Sequence, residues 1–249
     1  MNLKHFLQVI CISIFFFCCS EDNDITVPRN LQEYIAANAS RELDTVLAFG
    51  ANADANLGLS YIFYYPTEGA TEIKYFETDS TSVNETDFSN YKREILSETD
   101  VFGGKLKRFS RSSSEEAWCV VTYFTAGKLH TSQPIRLKNA TNPTTWEEEV
   151  TIEYPTTLEP KFTWSDFGIT DNDIYFQVLT DEEDAFISGI YTRDNFFQYY
   201  DTSNTDQNLV INTTPPPALV VGNTYNFTLM AISKDNWVNL VIQNSFVAQ

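Results

Sequence analysis

Two hydrophobic periods divide this chain. In Asn30-Leu31-Gln32-Glu33-Tyr34-Ile35, the apolar residues Leu31, Tyr34 and Ile35 share one helical face. Asn30 is suited to the N-cap and Glu33 follows three residues later, so one short helix is predicted, ending near Asn38. From Leu43 the period falls to two. Thr45–Phe49, Leu59–Tyr65, Glu72–Glu77, Lys105–Phe109, Trp118–Phe124 and Leu129–Leu137 then read as short strands with turn residues between them. Asn139-Ala140-Thr141-Asn142-Pro143-Thr144-Thr145 is a polar, proline-bearing interruption. The strand pattern resumes at Val150–Tyr154, Lys161–Trp164, Ile174–Leu179, Phe186–Tyr191, Phe196–Tyr200, Leu209–Ile211, Tyr225–Ile232 and Trp237–Ile242. Short strands punctuated at this spacing predict an all-β chain of two tandem immunoglobulin-like sandwiches. The expected organisation is a leader at 1–19, a tether and helix at 20–42, sandwiches at 43–138 and 150–249, and a linker at 139–149.

The leader differs in kind. Lys4 and His5 precede an apolar run from Phe6 to Phe17, and Cys18-Cys19-Ser20-Glu21-Asp22 follows. The run falls short of the roughly 20 apolar residues a membrane-spanning helix needs, and acidic rather than basic residues follow it. It reads as a secretory signal. The segment resembles a bacterial lipoprotein signal peptide, in which a cysteine closing a small-residue box becomes the lipidated N-terminus. Cys19 is the expected anchor, with Cys18 the alternative; the large Phe16 and Phe17 depart from the usual box. The acidic residues after the cysteine resemble the surface-export tag of Bacteroidetes lipoproteins. That resemblance implies an outer-membrane protein, lipid-anchored and facing the cell surface.

Composition narrows the chemistry. The 249 residues carry a net charge of −18, which argues against nucleic acid as a partner. Three of the four cysteines lie in the leader, so the folded part has Cys119 alone and no internal disulfide. Its pattern, Ala117-Trp118-Cys119-Val120-Val121, is that of a buried strand. His130 is the one histidine beyond the leader, too few for a histidine-based metal site or a catalytic triad. No nucleophile elbow, zinc helix or phosphate loop occurs. Catalytic residues, a metal site and a cofactor are therefore not expected, although the plentiful carboxylates keep a glycan hydrolase among the alternatives.

A second resemblance lies near the end. Leu219-Val220-Val221-Gly222-Asn223-Thr224-Tyr225-Asn226-Phe227 resembles the E–F corner and F strand of fibronectin type III domains. There, residues in the positions of Leu219, Gly222 and Tyr225 form the tyrosine corner, and the hydroxyl bonds back to the chain. Trp164 suits that family's buried strand-B tryptophan. In the first half Trp118 stands near the corner position, where a tyrosine is missing. The whole chain also looks like small two-domain surface lipoproteins of Flavobacteria.

Phe196-Phe197-Gln198-Tyr199-Tyr200 puts rings on both faces of a strand. Phe196, Phe197, Tyr199 and Tyr200 are thus the candidate binding aromatics, for stacking on a sugar or gripping a protein. The expected function is noncatalytic recognition of a glycan or an outer-membrane protein by a membrane-anchored module. A structural spacer in an envelope complex is the alternative.

Overall fold

The computed structural model describes Pro28 and Leu209 together with residues 30–54, 56–206 and 216–249. The leader with Cys18 and Cys19, and most of the strand expected at Leu209–Ile211, lie outside the described residues.

Helix α1 is Leu31–Ala37. The Asn30 carboxamide accepts from the N–H groups of Gln32 (2.9 Å) and Glu33 (3.3 Å), and Asn38 ends the helix. The strands are β1 (Arg41–Val46), β2 (Ala48–Ala53), β3 (Asn56–Tyr64), β4 (Thr71–Glu77), β5 (Lys92–Glu94), β6 (Ser97–Val101), β7 (Leu106–Ser112), β8 (Trp118–Thr125), β9 (Lys128–Ser132) and β10 (Ile135–Arg136). After them come β11 (Thr145–Glu147), β12 (Thr151–Thr156), β13 (Glu159–Thr163), β14 (Ile174–Asp181), β15 (Phe186–Thr192), β16 (Phe196–Gln198), β17 (Thr224–Ile232) and β18 (Val238–Val247). The described chain is all-β apart from α1 and a short 3-10 turn at Phe88–Asn90.

These strands form four sheets: β1-β9-β8-β4-β5 with β10 on β8, β2-β3-β7-β6, β11-β18-β17-β14-β15, and β12-β13-β16. The first two face each other, as do the last two. In the usual lettering of such sandwiches, the second half sets A, B and E (β12, β13, β16) against G, F, C and C′ (β18, β17, β14, β15), the fibronectin type III-like arrangement. The first half sets A, B, E and D (β2, β3, β7, β6) against G, F, C and C′ (β9, β8, β4, β5). Each half also lays a short leading strand parallel to its own G strand, β1 on β9 and β11 on β18.

Several boundaries differ from the sequence reading, each for a local reason. The single strand expected over Thr45–Phe49 is split at Leu47, where the chain leaves the first sheet for the second. Leu129–Leu137 is split around Pro134, which has no N–H for a ladder. The segment 139–149 contains strand β11, which pairs from Thr145 to Glu147 with Leu240 to Ile242 of β18.

The sheets stack in sequence, and three cores lie between them. Ile62, Tyr64, Tyr75, Phe109, Cys119 and Val121 fill the first sandwich. Phe162, Trp164, Tyr175, Phe197, Phe227 and Leu240 fill the second. The middle core joins the halves: Phe49, Ala51, Phe63, Phe102 and Leu106 of the second sheet pack on Phe176, Val178, Met230 and Val241 of the third. This explains why β14 and β17 are buried nearly throughout; apolar residues on both faces of a strand mean that both faces are covered. Helix α1 covers the first sheet from outside, with Leu31, Tyr34 and Ile35 against Phe76, Val120 and Leu129.

One tight turn fastens the two halves. Trp237, from the β17–β18 connection, is fully buried in the core of the first sandwich. Its indole N–H donates to Asn142 O at 2.8 Å, and the adjoining Asn236 O accepts from Gly50 N at 2.9 Å. A Cβ on Gly50 would stand 3.2 Å from the Trp237 ring and 3.1 Å from Leu137, so glycine allows this close approach. Lys138, largely buried, pairs with Asp235 (2.9 Å) and Asp171 (3.3 Å) of the second half.

Candidate functional site

A cleft of about 580 Å³ opens between the second and third sheets. Its third-sheet wall follows from strand register. Asn226 lies opposite Ser245, Thr228 opposite Gln243 and Met230 opposite Val241, while Trp146 of β11 lies opposite Val241. Alternation puts Asn226, Thr228 and Met230 on one face, so this wall grades from amides and hydroxyls at the mouth to Met230, Val241 and Trp146 within. The facing wall is Phe63 of β3, Val101 and Phe102 at the end of β6, and Arg108 of β7.

Arg108 is held in position. Its Nε donates to Thr99 Oγ1 at 3.2 Å, and its guanidinium carbon sits 3.9 Å from the centre of the Tyr61 ring. Tyr61 begins a series of ring contacts: Phe63 at 6.1 Å, Phe49 at 5.5 Å, then Phe176 at 5.9 Å and Tyr191 at 4.5 Å. The wall behind the cleft is therefore rigid aromatic packing. At one side the β6–β7 turn touches the β14–β15 turn, where a Cβ on Gly103 would meet Ala185 Cα at 3.2 Å. Lys105, 5.2 Å from the ring centres of both Tyr65 and Phe186, ties the same two regions together.

Some lining groups are already committed. Asn226 donates to Asp181 O (2.9 Å) and accepts from Ser245 Oγ (2.6 Å), and Asn244 donates to Glu148 O (3.1 Å). Others keep free capacity: among the described residues, the Gln243 carboxamide and the two terminal nitrogens of Arg108 make no hydrogen bond. The Trp146 indole N–H is buried without a partner.

A scan against protein-family models matches none, and no curated protein matches in sequence. Among solved structures, the chain is similar to a two-domain fibronectin type III segment of chicken tenascin, at 10% identity and a TM-score of 0.32. The match covers 82% of this chain and 98% of that one. It is also similar to the chicken CNTN1 FN1–FN3 domains, at 9% identity and a TM-score of 0.31, covering 84% of this chain and 65% of that one.

The residues singled out from the sequence fall elsewhere than the cleft. Phe197 and Tyr199 are buried in the second sandwich, where Phe197 stacks 6.1 Å from Phe162 and the Tyr199 hydroxyl donates to Pro217 O. These two, expected as binding aromatics, are core residues instead. On the outer side, Phe196 lies under Lys161 at 4.9 Å, and the 39% exposed Tyr200 donates to Pro216 O. Leu219 and Tyr225 are buried, Gly222 has φ +84°, and the Tyr225 hydroxyl accepts from Val220 N at 3.0 Å. Trp164 is buried edge-on to Tyr175 at 5.4 Å. Trp118 makes no equivalent corner, its indole N–H being buried and unpartnered.

Reactive groups are few. Cys119 is fully buried, and burial holds its thiol far above the ordinary value, the opposite of a nucleophile's environment. His130 is an inner residue of the first sheet, its Nδ1 2.9 Å from Thr45 Oγ1 and its ring 5.6 Å from Tyr123. No group of three or more metal-ligating side chains occurs among the described residues. Glu148 and Asp184 line the cleft but stand exposed on its rim. A glycosidase acid depends on apolar enclosure, which neither has.

The sequence held no local sign of the cleft. Trp146, Arg108 and Gln243 meet because two sandwiches pack face to face. The one available signal was the continuous apolar character of Ile174–Leu179 and Tyr225–Ile232, which calls for cover on both faces.

Proposed function

We propose that the protein is a noncatalytic glycan-recognition module, held by an N-terminal lipid anchor at the outer face of the outer membrane. The anchor rests on the sequence of the leader. The recognition role rests on the cleft. A saccharide ring has apolar C–H faces and a rim of hydroxyls, and the cleft offers Trp146, Phe63 and Met230 beneath a border of amides and hydroxyls. Its volume of about 580 Å³ accommodates one or two sugar rings, and such pockets favour domain interfaces. The packing that forms the walls gives a preorganised site, so little ordering accompanies binding.

The observation that carries this reading is the juxtaposition of Trp146 with the row of polar groups along β17 and β18. Titration of the purified mature chain with a panel of oligosaccharides, followed by calorimetry and tryptophan fluorescence, tests it. Binding by at least one saccharide, lost at least tenfold in Trp146→Ala with the melting temperature retained, is the expected outcome. Absence of binding throughout the panel at millimolar ligand would refute it.

A further inference from the structure

Resting on the cleft reading above, we propose that the saccharide carries a carboxylate, as a uronic-type sugar does, and that Arg108 is the residue that reads it. Among the described residues, Arg108 is the one basic residue lining the cleft. It forms no ion pair among the described residues, in a chain with 34 acidic and 16 basic residues. Thr99 occupies its Nε, and the Tyr61 ring covers one face of the guanidinium. The two terminal nitrogens are left as a planar fork, which matches the two oxygens of a carboxylate and is less well used by single hydroxyls. Because the side chain is already fixed at both Thr99 and Tyr61, few rotamers are lost on binding.

The other charges set orientation. Glu148 and Asp184 come from the third sheet and its β14–β15 turn, Arg108 from the facing second sheet. A carboxylate turned toward them is repelled and one turned toward Arg108 is attracted, so a single acidic ring enters one way round. Its neutral hydroxyls then face Gln243 and Thr228. The net charge of −18 offers no long-range steering for an anion. Discrimination is therefore a contact effect at Arg108.

The test compares a uronate oligosaccharide with the same oligosaccharide after its carboxylates are reduced to hydroxymethyl groups, using full-length mature protein. The uronate is expected to bind at least tenfold tighter, with the difference narrowing as salt is raised. Arg108→Gln is expected to bring the ratio near one, chiefly through loss of affinity for the uronate. Thr99→Val, which frees the guanidinium without removing it, is expected to lower the ratio partway. Equal binding of both forms, still sensitive to Trp146→Ala, would overturn the role of Arg108 and leave the cleft reading standing. Binding of neither form, with another saccharide of the panel bound, would overturn the carboxylate assignment alone; binding of no saccharide in the panel would end both. Equally tight capture of an oligo-glutamate peptide would overturn the saccharide assignment.

Discussion

The two sandwiches turn the same corner by different chemistry. In the second half, the crossing from one sheet to the other before β17 is pinned by one neutral hydrogen bond, Val220 N to the Tyr225 hydroxyl, 3.0 Å. In the first half the corresponding crossing before β8 is pinned by charge. Arg111, almost fully buried, donates from Nε to Glu77 at 2.6 Å and from Nη1 to Ser113 O (3.2 Å) and Glu115 O (2.9 Å). Glu77 also accepts from the Tyr75 hydroxyl at 2.6 Å. One residue further along the loop, Glu116 accepts from Ala140 N (3.1 Å), Thr141 N (2.7 Å) and Thr141 Oγ1 (2.8 Å). A phenol can hold a corner alone because it has little charge to desolvate. A buried ion pair needs every lone pair and proton matched. The first corner should therefore be more vulnerable to a single substitution and, through Glu116, to acid.

The sharpest break in this comparison is Arg111→Met. Removing the guanidinium leaves Glu77 enclosed beside the Tyr75 hydroxyl without its cation and takes the partner from Glu115 O, so a loss of about 3–5 kcal/mol is expected in denaturant unfolding. A loss under about 1 kcal/mol would mean that the pair contributes no more than its replacement by packing. Tyr225→Phe removes only the hydroxyl, and about 1 kcal/mol should go, without salt dependence. An equal loss at both sites would erase the distinction between the corners.

The smallest effect concerns pH. Glu116 loses some solvation, but hydrogen bonds from Thr141 and Ala140, and the nearby Arg136, outweigh this and hold its carboxyl below the ordinary range. A lowered folded-state value means the stabilisation is complete above the unfolded value of about 4.3 and disappears as pH falls through the folded one. The group is only partly buried, so solvent screening keeps the contribution small. Glu116→Gln should flatten the decline of the melting temperature between about pH 5 and pH 3. An unchanged slope would place the acid sensitivity elsewhere.

The contrast also shows what a sequence can and cannot carry. The tyrosine corner was legible because Leu219, Gly222 and Tyr225 lie within seven residues, and their roles depend on local geometry. The Asn30 cap was legible for the same reason. The first corner was not, because Glu77 and Arg111 are 34 positions apart and nothing local marks them as partners. The rings of Phe196–Tyr200 were seen to face both ways, but which pair meets a core depends on a sheet contributed by distant strands. The cleft itself comes from two sheets that share no hydrogen-bond ladder.

The burial of Trp237 in the first sandwich has a consequence for the order of events during synthesis. A chain made from its N-terminus completes every strand of the first pair of sheets once residue 136 has emerged. Domains usually fold as they appear. Here the core of the early half stays open beside Gly50, Ile135 and Leu137 until another hundred residues have been added. The closing contact is long-range, and long-range contacts form slowly. The first half thus waits for the second, and the two halves reach their final packing together.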